Sequence, residues 1–258
     1  MIGRVFRWRP RRPEKPRVPA GVRVYVIGDI HGRADLLDEV HAKIRADVGP
    51  RRPADIALVY LGDYVDRGAD SCGVVERLCR SPIAGARRIL LKGNHEDMLL
   101  RFLHDPAFGN SWRLFGGMET LLSYKVPVNE AMARDGLAAL REAFRQMLPP
   151  HHLELLRGLK PCDAIGDYFF CHAGVRPGVA LERQREEDLM WIREEFLHSD
   201  ADFGKVVVHG HSPVPAPEVR ANRINIDTGA YVTHRLTCLV LEEDHRRFLS
   251  TDPRRRGW

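Results

Sequence analysis

Residues 22–28 read Val-Arg-Val-Tyr-Val-Ile-Gly, and residues 34–48 then place Leu36, Leu37, Val40 and Ile44 at helical spacing. A β-branched and aromatic run closed by glycine predicts a strand, and the spaced leucines predict a helix after it. The unit recurs at 56–61 with a helix near 70–79, and again at 88–91 with a helix near 96–103. Three such units predict a buried, largely parallel sheet with short crossovers. From residue 112 to about 157 the pattern turns helical, with Leu137, Leu140, Phe144 and Leu148 forming an apolar stripe expected to face a core. This stretch reads as a helical cap. Strand patterns return at 168–171, 205–208, 224–226 and 236–241.

At 258 residues with 44% hydrophobic content, the chain can bury one substantial core, and a single α/β domain is expected over 21–250. Charge is unevenly spread. The termini at 1–20 and 252–258 carry +6 and +2, which leaves residues 21–251 at −3 although the whole chain is +5. The basicity belongs to the ends, so no specific nucleic-acid partner is expected of the folded body. Residues 1–20, with Pro10, Pro13, Pro16 and Pro19 among arginines, have no apolar face to bury and are expected to be a disordered tail, with a second basic tail at 251–258. The five cysteines are scattered and form no Cys-x-x-Cys pair, which suits reduced thiols in a cytoplasmic protein. No apolar run approaches the roughly 18 residues of a membrane span, and no signal-peptide core opens the chain.

Three fragments bracketed by glycine follow the first three predicted strands: Gly28-Asp29-Ile30-His31-Gly32, Gly62-Asp63-Tyr64-Val65-Asp66-Arg67-Gly68 and Gly93-Asn94-His95-Glu96. Two later strands end in Cys171-His172-Ala173-Gly174 and His209-Gly210-His211-Ser212-Pro213. Side chains at i and i+2 of extended backbone share a face, so Asp29 and His31 can grip one cation. Asp63 and Asn94 leave neighbouring strands at the same edge, and strand-end loops are where an open α/β sheet builds its site. Hard oxygens mixed with imidazoles suit manganese, iron or zinc better than magnesium or calcium. The i, i+2 rule makes both His209 and His211 ligand candidates, and leaves His95 open between proton donor and ligand.

As a set, these fragments resemble the phosphoprotein phosphatase family of calcineurin-like metallophosphoesterases, in its compact bacterial and phage forms, from about Val22 to Leu241. The resemblance implies a central β-sandwich flanked by helices. It implies that Asp29, His31 and Asp63 hold one divalent ion and Asp63, Asn94, His172 and His211 a second, with Asp63 the bridge, Mn2+ the favoured metal and Fe or Zn the alternatives. Arg67 and Arg193 would bind phosphate, His95 would protonate the leaving oxygen, and Asp66 would orient His95. The family pattern favours His211 over His209, and Asp227 would orient a ligand or shape the pocket floor. The implied reaction is direct attack on a phosphate monoester by a hydroxide bridging the metals, with phosphoserine, phosphothreonine or phosphotyrosine in proteins as first expectation. Dinucleoside polyphosphates such as diadenosine tetraphosphate are the alternative substrates. A catalytically silent binding module is a third reading, against which the complete ligand, arginine and acid positions argue. Partners are thus a phosphoprotein or a small phosphorylated substrate; regulatory subunits are not expected, and the oligomeric state stays open. Substrate choice is assigned to the cap and loops, with 110–125 shaping the mouth.

Overall fold

The computed structural model describes residues 15–49 and 53–251. β1 (Val22–Ile27), β2 (Asp55–Tyr60) and β3 (Arg87–Leu90) lie parallel, as the repeated strand and helix pattern predicts. The later strands make a sheet of their own. β4 (Cys162–Ile165), β5 (Tyr168–Cys171), β6 (Val206–His209), β7 (Glu218–Val219) and β8 (Arg223–Asn225) are ordered 4-5-6-8-7, parallel at the centre and antiparallel at both edges. β9 (Thr237–Glu242) and β10 (His245–Ser250) return to the first sheet, which is ordered 10-9-1-2-3. The expected parallel sheet is therefore two mixed sheets packed face to face.

Alternation along the strands sets the layers. Val24 and Val26 of β1 point between the sheets, where they join Val59, Leu239, Phe170, Val208 and Ile224. Tyr25 and Ile27 point outward under helices α1 (Ala34–Val48), α2 (Ser71–Leu78) and α3 (Asn94–His104). That same outer core takes in the cap: α4 (Gly109–Trp112), a π-helical turn at Arg113–Gly117, α5 (Met118–Ser123), α6 (Val128–Met147) and α7 (Pro150–Arg157). Trp112 stacks on Phe102 and Phe144, with ring centroids 5.1 and 5.8 Å away. Leu140, Phe144 and Leu148 are buried and Leu137 partly so, as the stripe predicts. On the outside of the second sheet, Leu189 of α8 (Glu186–Trp191) and Phe196 of α9 (Glu194–Leu197) cover Phe169, Cys171 and Val207. α10 (Ala230–Thr233) follows β8.

Three strands escaped the sequence pattern. β4 and β10 are edge strands with exposed polar positions, and β7 is two residues long, so none shows a run of buried alternation. The expected disordered tail also needs correcting at its inner end. Val18 is only 1% exposed and packs between the sheets, its N–H donating to Glu243 O at 2.9 Å, while the Arg17 N–H reaches the Asp167 carboxylate at 2.9 Å. A lone valine among prolines has no periodicity, so the sequence hid this anchor. Residues 1–14 and 252–258 lie outside the described residues. Among the described residues no helix is long and apolar enough to cross a membrane.

Candidate metal centre

The loops that leave β1, β2, β5 and β6, together with the first turn of α3, converge at one edge of the sandwich. Asp29, His31, Asp63, Asn94, His172 and His211 are all buried there. Small residues make the convergence possible: a Cβ on Gly93 would stand 2.2 Å from Asp63 Oδ1, and one on Gly210 would stand 1.9 Å from Asp29 Oδ1. His31, Asp63, Asp66, Arg67 and His211 all have φ between 47 and 71°, a left-handed conformation unfavourable for residues with side chains. Five of the ten predicted site residues thus hold backbone strain that the surrounding contacts must sustain.

Those contacts centre on Glu96, to which the sequence reading gave no role. One of its carboxylate oxygens accepts the N–H groups of Asp63 and Gly93 at 2.9 Å each, and the other those of Tyr64 at 2.7 Å and Val65 at 3.2 Å. The signal was available as the glutamate two residues after Asn94, a helix-capping position whose carboxylate turns back on the chain before the helix. Burial, then Asp63, pushes Glu96 up to about 8, while the backbone N–H groups pull the other way.

Tautomers show which ring atoms could take a metal. His31 Nδ1 lies 3.0 Å from Val65 O, and His172 Nδ1 lies 3.0 Å from Leu61 O. A carbonyl oxygen only accepts, so each Nδ1 carries the proton and each Nε2 presents a lone pair. His31 Nε2 then faces Asp63 Oδ2 at 3.4 Å, and His172 Nε2 faces Asp63 Oδ1 at 3.4 Å. Asn94 Oδ1 stands 3.0 Å from both His172 Nε2 and His211 Nδ1, which are themselves 3.2 Å apart. Asp29 Oδ1 and His211 Nε2 are buried without a hydrogen-bond partner. Lone pairs that face one another in this way, on either side of Asp63, are the donor arrangement that would fit a cation in each group.

Electrostatics agree. Burial first, then their neighbours, holds His31 and His172 well below the ordinary imidazole range, and burial with Arg193 nearby takes His211 to about 3, so all three remain neutral donors. Burial, then Asp227 and Asp63, drives the Asp29 carboxyl well above its usual range, and burial also raises Asp63. Burial leads in lifting Asp227 to about 6. Crowded buried carboxylates of this kind mark a site short of positive charge.

His95 occupies a different position. Its Nδ1 is 2.7 Å from Asp66 Oδ2, and its Nε2 is 3.8 Å from Asp63 Oδ2. Burial lowers its pKa, but Asp63 and Asp66 outweigh burial and raise it. Asp66 is fixed in turn by Trp112 Nε1 at 2.9 Å and Thr120 Oγ1 at 2.6 Å, two cap residues the sequence reading missed because nothing local marks them. The Arg67 guanidinium lies 4.8 Å over the Tyr231 ring, and Arg193 is an exposed residue whose charge is felt at His211. His209 belongs to neither ligand group; its ring packs edge-on against Phe196 at 4.9 Å.

Oxygen and imidazole donors on the strand ends of a helix, sheet, sheet, helix sandwich mark a class of protein, the metallophosphoesterases. The chain matches the calcineurin-like phosphoesterases over residues 22–244 and belongs to that family. It is similar to the asymmetrical bis(5'-nucleosyl)-tetraphosphatase PrpE of Bacillus velezensis, at 27% identity over 82% of this chain and 86% of the relative. PrpE of Bacillus subtilis is 28% identical over 82% of this chain and 88% of its own. Among solved structures, a protein provisionally described as a diadenosine tetraphosphatase superposes with a TM-score of 0.59 at 22% identity, over 91% of this chain and 99% of that one. A serine/threonine phosphatase from Saccharomyces cerevisiae gives 0.54 at 15% identity, over 90% and 80%. At such identities the solved structures speak to the fold.

Proposed function

We propose that the chain is a dinuclear-metal phosphoesterase that cuts dinucleoside tetraphosphates into unequal halves, a nucleoside triphosphate and a nucleoside monophosphate. The observation that carries this reading is the sequence likeness to asymmetrical tetraphosphatases along 82% of the chain. Phe115, 44% exposed with its ring 6.4 Å from that of His95, adds an aromatic face on which a nucleobase can stack. Hydrolysis of phosphoserine or phosphothreonine in proteins, the first expectation from the motifs, becomes the second reading, because its support among relatives is a shared fold at 15% identity.

Asp29, His31 and Asp63 would hold one divalent ion, and Asp63, Asn94, His172 and His211 the other, with Mn2+ favoured and Fe or Zn as alternatives. When bound, two such ions supply Lewis acidity toward the phosphoryl oxygens and make water nucleophilic near neutral pH. Arg67 and Arg193 bind the phosphate chain through paired N–H donors, and Tyr231 beneath the Arg67 guanidinium limits its swing. His95 holds at Nε2 the proton for the leaving oxygen, while Asp66, braced by Trp112 and Thr120, keeps the ring aimed.

The test supplies the metal-loaded protein with diadenosine tetraphosphate, a phosphoserine peptide and p-nitrophenyl phosphate, and resolves nucleotide products by anion exchange. Equal amounts of ATP and AMP, with kcat/KM for the tetraphosphate above that for the peptide, is the expected result. ADP as sole product, or preference for the peptide, overturns the assignment.

A further inference from the structure

A second group of ligand-type side chains lies where the cap meets α2. Glu76 and Cys79 sit one turn apart at the end of α2, and His151 and His152 open α7. Cys79 Sγ and one nitrogen from each histidine all lie within 4.8 Å of one another. Glu76 Oε2 stands 2.9 Å from His151 Nε2 and 3.0 Å from His152 Nε2. Two consecutive imidazoles, their rings edge to face at 4.5 Å, are thus turned onto one carboxylate oxygen beside a thiol.

We propose that Glu76, Cys79, His151 and His152 form a structural zinc site, separate from the dinuclear centre and independent of the substrate assigned to it. One thiol, two imidazoles and one carboxylate give four donors of the kinds zinc takes in tetrahedral sites, and the sulfur selects against magnesium and calcium. With bonds of about 2.0–2.3 Å, a zinc tetrahedron has edges of roughly 3.3–3.6 Å. The carboxylate-to-imidazole distances are already close to that, and the remaining adjustment falls on half-exposed Cys79 and on His151, whose side chain is 55% exposed. His152, by contrast, is buried, and its Nδ1 is 2.9 Å from Tyr124 Oη, which steadies the ring from the side away from Glu76. The ion would clamp α7, the last helix of the cap, to α2, the helix that follows the loop bearing Asp63, Asp66 and Arg67.

Cobalt(II) separates the two centres, because the dinuclear centre contains no cysteine and only a thiolate ligand gives a sulfur-to-cobalt charge-transfer band in the near ultraviolet. Full-length protein stripped with a chelator is titrated with Co2+, then with Zn2+ in competition, alongside Cys79→Ser and His151→Ala. The wild type is expected to develop the band and to bind one more ion per chain than either variant. Zn2+ should bleach the band, and both variants should lack it while keeping p-nitrophenyl phosphate turnover within about twofold, as changes remote from the reacting groups do. His151 is exposed, so its removal leaves the fold intact and keeps the test decisive if Cys79→Ser misfolds. No band in the wild type, or the same band and stoichiometry in the variants, would show that Glu76 merely accepts hydrogen bonds from two histidines.

Discussion

The strand-end loops and the cap segment Arg113–Gly117 meet at one mouth, yet they are built in opposite ways. The candidate ligands are no more than 5% exposed, and the strained backbone at Asp63 is pinned by Glu96. The cap segment turns Leu114, 88% exposed, and Phe115, 44% exposed, toward solvent, and touches the loops through the Arg67 N–H, which donates to Gly116 O at 3.1 Å. Asp63, His31, Asn94, His172 and His211 in the first region each lean on a neighbouring backbone or side-chain group, so a change at one displaces the others. In the second, Leu114 and Phe115 can be exchanged without disturbing the core, while Gly116 and Gly117, where a Cβ would meet Arg67 and the Trp112 ring, hold the segment in place.

The largest effect is expected at Asp63. Asp63→Asn removes the charge shared by the two ligand groups, so it should abolish turnover and release metal, because a neutral amide cannot bridge two dications as a carboxylate does. Metal content and turnover are measured on the same sample; two retained ions with near-normal activity would sink the bridging role. Next comes His95→Asn, which should keep both ions yet slow an alkyl phosphate by about 10²–10⁴-fold, with a smaller loss on p-nitrophenyl phosphate, whose leaving group needs no proton. Equal losses on the two substrates would argue against proton delivery, and a lost ion would make His95 a ligand.

Glu96→Gln sharpens the contrast from behind the site. The new amide NH2 confronts backbone N–H groups that now donate to a carboxylate, so the Asp63 loop should shift and kcat fall by about 10²-fold, the usual cost of misplacing a reacting group by about an ångström. Wild-type kcat in this variant would show that the loop does not depend on Glu96. The smallest effect is expected in the cap: Phe115→Ala should raise KM for diadenosine tetraphosphate about five- to hundredfold, since stacking on a base is worth about 1–3 kcal/mol, and leave p-nitrophenyl phosphate unaffected. A parallel loss on both substrates would move Phe115 from substrate choice into the chemistry.

Legibility in the sequence follows the same division. β1, α1 and β5 have the bounds their patterns predict, because strands covered on both faces and helices with one apolar face write their burial into local periodicity. The convergence of the six candidate ligands was legible for a related reason: each sits one to four residues past the end of such a strand, most of them beside a glycine. What supports them was not. Trp112 and Thr120 reach Asp66 from 46 and 54 residues away, and Val18 crosses to Glu243, contacts that no local pattern encodes. The substrate was the least legible feature, since the motifs serve monoesters and anhydrides alike and the cap's exposed side chains carry no periodic signal.

The most direct test of the metal centre is an anomalous-difference map from crystals grown with Mn2+. Two peaks about 3.5–4 Å apart are expected, with the Asp63 carboxylate between them, one beside Asp29 and His31 and the other beside Asn94, His172 and His211. A single peak, or peaks that leave Asp63 without a metal on each side, would contradict that arrangement.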